Sequence, residues 1–239
     1  MIDPQAGGLA ELAQALADRT RAAVLLALLD GRAWTPGELA RLTGVAPSTM
    51  SGHLARLTEA GLVAHTAQGR HRYVRVAGSE VAELVETLSS RLDRPLPPVT
   101  SLRTANRRRA LAVARTCYDH LAGRLGVAVT SALVRTGRVD HTAGRPPVLT
   151  GAGEEWFAAL GADLDAMATA RRPLLRECLD WTERLPHLAG TAAAYLRTVA
   201  AERGWVVPVT GTRALRVTPE GEAALREHLG IGPGELTLT

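Results

Sequence analysis

The sequence predicts a mainly α protein with small β-hairpins, made of one N-terminal domain followed by two tandem lobes of like design. Three observations carry this. Apolar spacing over the first hundred residues is that of short capped helices that end in one pair of alternating segments. Pro95-Leu96-Pro97-Pro98 breaks the helical pattern and reads as a stiff linker. Beyond it, one pattern of cysteine, aspartate and histidine occurs twice.

Taking the elements in order, apolar residues at spacings of three and four predict a first amphipathic helix over residues 9–16. Asp18 caps a second over 19–29, closed by Gly31. Thr35-Pro36-Gly37-Glu38 is a capping box with proline at the first helical position, and opens a short helix to Leu42, after which Gly44 turns the chain. Pro47 starts a fourth helix to Ala60 with Met50, Leu54 and Leu57 on its core side and Gly61 as its stop. Its other face is small and polar: Ser48, Thr49, Ser51, Gly52, His53 and Arg56 leave room for close approach and offer donors and acceptors. Residues 62–66 and 71–76 alternate and are joined by Ala67-Gln68-Gly69-Arg70, a β-hairpin whose tip carries Gln68, Arg70, His71 and Arg72.

Helices followed by such a hairpin describe a winged helix-turn-helix, in which one helix enters the major groove and the wing touches phosphate or minor groove. Bases would be read by Ser, Thr and His at about 1–3 kcal/mol per good contact. Arg56, Arg70 and Arg72 would pair with phosphates and make affinity fall with salt.

The run TPGELARLTGVAPSTMSGHLARLTEAGLVAHTAQGRHRYVRV resembles the ArsR/SmtB family of bacterial repressors. Their recognition helix commonly reads Ser-Thr, a hydrophobic, Ser, a variable residue, His, Leu, which Ser48-Thr49-Met50-Ser51-Gly52-His53-Leu54 matches, with Gly52 where a second histidine is frequent. The resemblance covers about residues 9–92 and implies Ser48, Thr49, Ser51 and His53 as DNA contacts, and the helices over 9–17 and 79–92 as a dimer interface. The family's usual metal sites are missing from the matching positions. Glu38-Leu39-Ala40-Arg41-Leu42 has no cysteine and residues 79–92 no histidine.

The expected division is residues 1–94 for DNA binding and dimerisation, 95–100 as linker, and 101–239 as a two-lobed effector or assembly domain with repeats at about 105–161 and 166–230. Arg115-Thr116-Cys117-Tyr118-Asp119 aligns with Arg176-Glu177-Cys178-Leu179-Asp180, and His120-Leu121-Ala122-Gly123 with His187-Leu188-Ala189-Gly190, the second copy holding six extra residues, 181–186. Leu149-Thr150-Gly151-Ala152-Gly153-Glu154 answers Val217-Thr218-Pro219-Glu220-Gly221-Glu222. Each copy is expected to run helix, helix, extended segment, capped helix, a degenerate winged-helix order without a small polar recognition face.

Cys117 and Cys178 are the only two thiols, which excludes a disulfide framework. Cys117 and His120, three apart, would share one helix face, and Cys178 with His187 would supply the matching pair. Four such N and S ligands suit zinc or another soft metal, while two buried cysteines that merely pack remain the plainer expectation. Six of the eight aromatic residues follow residue 115. An apolar cleft lined by Tyr118, Trp181, Tyr195, Trp205, Cys117 and Cys178 would hold a small organic effector.

Net charge is +4, and all 28 basic residues are arginine. Residues 1–100 are balanced, 101–145 carry +7 and 146–239 carry −3, which fits a central stretch facing an anion or an acidic neighbour and equally a solvated helix face; Arg103, Arg107, Arg108 and Arg109 would add phosphate contacts or pair with acids of the last lobe. With 46% apolar residues the chain is no disordered tail. Its longest apolar run, residues 22–29, is far short of the roughly 20 residues of a membrane span, and the expected location is the cytoplasm.

Together these features predict a homodimeric repressor on double-stranded DNA, released from an inverted-repeat operator by a small-molecule effector. The alternative is a metal- or thiol-responsive regulator using Cys117, His120, Cys178 and His187. No enzyme is expected: Gly151-Ala152-Gly153 lacks the third glycine and the strand context of a dinucleotide fold. Cysteine, cysteine and aspartate also occur together in alkylmercury lyases, to which Cys117, Cys178 and Asp119 are similar in residue type alone.

Overall fold

A computed structural model describes residues 3–68, 71–91, 102–142, 144–170 and 172–236, so the linker expected at 95–100 lies outside the described residues. The chain divides into two compact units, Met1–Glu86 and Thr87–Thr239.

The first unit opens with α1 (Pro4–Leu16), α2 (Arg19–Leu28), α3 (Pro36–Thr43) and α4 (Pro47–Glu59). The hairpin β1 (Val63–Gln68) and β2 (His71–Val76) follows, then α5 (Ser79–Ser90). Helix α1 begins earlier than its apolar spacing suggests, because the Asp3 side chain accepts from the Gln5 N–H at 2.8 Å with proline in the first turn. Asp18 caps α2 through the Arg21 N–H at 2.9 Å. In α3 the capping box closes both ways: Glu38 N–H donates to Thr35 Oγ1 at 3.2 Å and Thr35 N–H donates to Glu38 Oε2 at 2.8 Å. Val24, Leu25, Leu39, Met50, Leu57 and Val74 form the buried core of this unit. The hairpin is held against α3's leading end by Trp34, whose N–H donates to Val74 O at 3.0 Å while Val74 N–H donates back at 2.7 Å.

The second unit comprises α6 (Leu102–Val113), β3 (Arg115–Cys117), β4 (His120–Ala122), α7 (Gly123–Arg135), β5 (Val139–Asp140), β6 (Val148–Leu149) and α8 (Gly151–Ala159). After α9 (Leu164–Ala168) come β7 (Arg176–Leu179), β8 (Pro186–Ala189), α10 (Thr191–Glu202), β9 (Val206–Pro208), β10 (Leu215–Val217), α11 (Pro219–Leu229) and α12 (Pro233–Leu236). Hairpin, helix, hairpin, capped helix occurs twice in that order. Leu125, Leu133, Phe157, Leu196, Val199 and Leu225 from both copies share one core.

The cysteine–histidine stretches correct the helix expectation: each is a hairpin, antiparallel β3–β4 and β7–β8. The physical reason lies at the ends of the stretch. Asp119 N–H donates to Cys117 O at 2.9 Å across a tight turn in which Tyr118 takes φ 58°. Gly123 and Gly190 then start the next helices at φ 72° and 103°, where an added Cβ would stand 2.7 and 2.6 Å from the carbonyl oxygens of Ala112 and Leu174. The six extra residues of the second copy lengthen this turn, closed by Asp180 N–H donating to Leu185 O at 2.9 Å.

A second pair of glycines sits three residues into the capped helices, where the cap threonine accepts the N–H of Gly153 or Gly221. A Cβ at Gly221 would lie 2.0 Å from Trp205 O, and at Gly153 2.0 Å from Arg138 O, so neither helix tolerates a methyl without moving off its hairpin. Gly221→Ala is expected to lower the urea midpoint by an amount worth about 1–3 kcal/mol at unchanged slope. An unaltered midpoint would show that the helix is free to shift. No helix among the described residues is long and apolar enough to cross a membrane.

Candidate functional site

Two places bring chemistry-bearing residues together, one in each unit. On α4, Met50, Leu54 and Leu57 are buried while Ser48, Thr49, Ser51, Gly52 and Arg56 are exposed, as the period of 3.6 requires. Among the described residues nothing lies within 4 Å of a Cβ built at Gly52, so the backbone there has room for close approach. Ser51 Oγ donates back to Pro47 O at 3.0 Å, which leaves its lone pairs outward.

His53 differs from its neighbours. It is half-buried, with Nδ1 3.6 Å from Asp18 Oδ1, so the imidazole faces the cap of α2 rather than the open side of α4. The Arg21 N–H, helped by the charges of Arg21 and His53 and opposed by partial burial, holds the Asp18 carboxyl below its ordinary range.

In the hairpin, Arg72 is exposed beside the tip. Gln68 and His71 pair across the end of the ladder; their side chains, and all of Arg70, lie outside the described residues. Two residues here escaped sequence reasoning. Arg75 is exposed on β2, and Thr58 of α4 meets His65 of β1 at 3.1 Å, tying helix to hairpin. The basic alternation of β2 was signal enough for Arg75, whereas the Thr58 contact has none in the sequence.

The second place is inside the other unit. Cys117 and His120 are direct cross-strand partners in β3–β4, and Cys178 and His187 in β7–β8. The hairpins abut so that Cys117 Sγ lies 3.8 Å from Cys178 Sγ and His120 Nε2 lies 3.1 Å from His187 Nε2. All four ligand atoms fall within 4.8 Å of one another, and all four residues are buried.

Carboxylates stand behind both imidazoles. Asp119 Oδ1 is 2.9 Å from His120 Nδ1, and its other oxygen accepts from Arg172. Asp180 Oδ2 is 3.5 Å from His187 Nδ1, 3.0 Å from Arg115 Nη2 and 2.7 Å from the Gly123 N–H. Burial disfavours the anion at both aspartates, but His120 and Arg172 at Asp119, and Arg115 and Thr182 at Asp180, outweigh it and hold both carboxyls well below the ordinary range. Burial likewise disfavours a charged His120, yet Asp119 and Cys178 raise it. The Cys178 thiol is pulled far below its usual range, chiefly by its hydrogen bond with Cys117 and then, against burial, by the two histidines.

The aromatic residues expected to line one cleft serve separate neighbours instead. Tyr118 is exposed on its turn; Trp181 covers the Arg115 guanidinium at 4.9 Å. The Tyr195 hydroxyl donates to Leu160 O at 3.1 Å, and Trp205 is buried, stacked on His228 at 5.4 Å. An apolar cavity lined by Leu121, Val129, Phe157 and Leu196 has a volume of about 20 Å³, room for one water-sized group, and a more open one of about 270 Å³ is lined by Arg124, Val127, Ala128, Ser131, Glu183 and Glu235; none of the expected aromatic residues lines either. On α6, Arg107 Nη2 donates to Gly211 O at 3.3 Å and Arg109 is exposed; the Arg103 side chain lies outside the described residues.

Comparison with known proteins adds the following. A helix-turn-helix domain family matches residues 16–66. The chain is 39% identical over 223 residues to an uncharacterized HTH-type transcriptional regulator, YdfF of Bacillus subtilis (strain 168), covering 93% of this chain and 97% of that protein. It is 44% identical over 80 residues to the HTH-type transcriptional regulator CmtR of Mycobacterium bovis, covering 34% of this chain and 67% of that protein. Among solved structures, the cadmium metal-sensor CMTR from Mycobacterium tuberculosis is 36% identical with a TM-score of 0.30, covering 39% of this chain and 99% of that one.

Proposed function

The chain belongs to the ArsR-like winged helix-turn-helix transcriptional regulators and binds DNA, and we propose that it does so as a homodimeric repressor whose input enters through the buried cysteine–histidine centre of its second unit. The observation that carries the first half is the open polar face of α4 beside a basic hairpin. Ser48, Thr49, Ser51 and the backbone at Gly52 meet base edges, while Arg56, Arg72 and the hairpin tip meet phosphate. His53 acts differently from the other helix residues: held near Asp18, it positions α4 instead of entering the groove.

A second copy of the chain is the natural cover for α1, which leaves Leu9 69% exposed among other small apolar residues. A twofold through that surface sends two α4 helices into successive major grooves about 34 Å apart, so the operator is an inverted repeat. Effector binding favours a dimer whose helices miss that spacing, and a coupling of about 1–3 kcal/mol is enough to change occupancy between 5- and 150-fold. A repressor of this kind works in the cytoplasm, with the DNA. We read it as a binding protein rather than an enzyme because both thiols are sealed from solvent, at 1% and 6% exposure.

Footprinting on the region upstream of its own gene tests this. Two protected half-sites about 10 base pairs apart, centre to centre, together with a complex holding two chains, are expected. Protection of one half-site by one chain would remove the dimeric reading.

A further inference from the structure

We propose that Cys117, His120, Cys178 and His187 form a closed two-sulfur, two-nitrogen site for a thiophilic divalent cation, zinc(II) foremost. The inference rests on the reading of the second unit as the input domain, and names what that input is.

The distances fit a tetrahedral metal site. With zinc–sulfur bonds of about 2.3 Å and zinc–nitrogen bonds of about 2.0–2.1 Å, a tetrahedral site has an S···S edge of about 3.8 Å and an N···N edge of about 3.3 Å. The observed edges are 3.8 Å and 3.1 Å. The full set lies within 4.8 Å.

The groups behind the imidazoles support the same site. Each imidazole has a carboxylate near its Nδ1, Asp119 at 2.9 Å and Asp180 at 3.5 Å, and Arg172 and Arg115 pair with those carboxylates. The two Nε2 atoms lie 3.1 Å apart, on the side of each ring away from its carboxylate. A carboxylate behind each imidazole is the usual support of a metal-bound histidine, fixing the tautomer and strengthening the donor.

The donor set selects the ion. Two thiolates and two imidazoles in tetrahedral array suit zinc, cadmium or cobalt rather than magnesium or calcium, which prefer oxygen. All four positions are filled by protein and buried, the form of a structural or regulatory site and not of a catalytic one with an open position. Each lobe gives one cysteine, one histidine and one supporting aspartate, so the ion fastens the two lobes to each other. Loading the site thereby sets the geometry of the whole second unit.

The test uses the untagged full-length chain. Elemental analysis after zinc addition and gel filtration is expected to give one zinc per chain, and cobalt(II) in its place is expected to show intense tetrahedral d–d bands with a sulfur charge-transfer band. Cys178→Ala should abolish both signals, and Asp119→Asn should weaken zinc binding about 10- to 100-fold. Should Cys178→Ala fail to fold, the native chain still decides: zinc should displace cobalt(II) one for one and bleach its bands. Less than a tenth of an equivalent of zinc, with no cobalt(II) bands, overturns the proposal. Operator binding, measured on the same samples, separates the two readings. Zinc bound with operator affinity unmoved by chelation keeps the site but removes it as the input; operator binding intact without any zinc removes the site alone.

Discussion

Replacing Asp180 with alanine is expected to lower the unfolding free energy by about 3–5 kcal/mol, because it leaves a buried guanidinium without its counter-charge. Arg115 and Asp180 are both 0% exposed and joined at 3.0 Å. Asp180 also gathers the second unit around itself: its oxygens accept from Gly123 N–H at 2.7 Å, Thr182 N–H at 2.9 Å, Thr182 Oγ1 at 2.7 Å and Glu183 N–H at 3.1 Å. Arg115 in turn donates to Leu111 O at 3.0 Å and Thr182 Oγ1 at 3.1 Å under the Trp181 ring. Urea denaturation measures the loss, and a shift under about 1 kcal/mol would mean that water reaches Arg115 in the variant. Asp180→Asn keeps the shape and removes the charge. Because the Asp180 carboxyl is depressed in the folded chain, its contribution is complete above the ordinary carboxylate pKa of about 3.9 and drains away as the pH falls below it. The native chain should therefore lose stability on acidification more steeply than Asp180→Asn does.

The second large effect is on DNA. Ser48→Ala and Thr49→Ala are each expected to cost about 1–3 kcal/mol of operator affinity, roughly 5- to 150-fold, and to flatten the preference for operator over unrelated duplex. Salt dependence should be untouched in these variants, since neither residue pairs with phosphate. Arg72→Ala should do the reverse, weakening every sequence alike and reducing the slope of log affinity against log salt by about 0.9. Fluorescence anisotropy over a range of salt concentrations distinguishes the two patterns. If Ser48→Ala with Thr49→Ala leaves sequence preference intact, α4 is not the reading helix. His53→Ala should weaken binding through the packing of α4 on α2 while base preference is retained, as its contact with Asp18 requires.

The contrast between the two units shows what was readable without coordinates. In the first, nearly every element announces itself: Asp18, Thr35 with Glu38, Pro47 and Gly44 are signals that act over three or four residues, and β2 alternates plainly enough to place Val74 in the core. In the second, the repeat was visible as a recurrence of residue types, but its local form was misjudged. Cysteine and histidine three apart fit one turn of helix and equally fit opposite sides of a tight hairpin, and strands of three residues such as β3 and β4 are too short to show a period. The aromatic residues were grouped by composition, which carries no information about which neighbour each ring meets.

Short-range chemistry thus settled the caps, the turns and the exposed polar face of α4, because each depends on residues close along the chain, and the doubling of the Cys-Asp-His pattern was legible as a recurrence of residue types. The convergence of 117 with 178 and of 120 with 187, the burial of Arg115 against Asp180, and the turn of His53 toward Asp18 required the folded chain. Such contacts form only when separate elements pack on a shared core, and that packing is a property of the whole molecule that no local run of residues encodes.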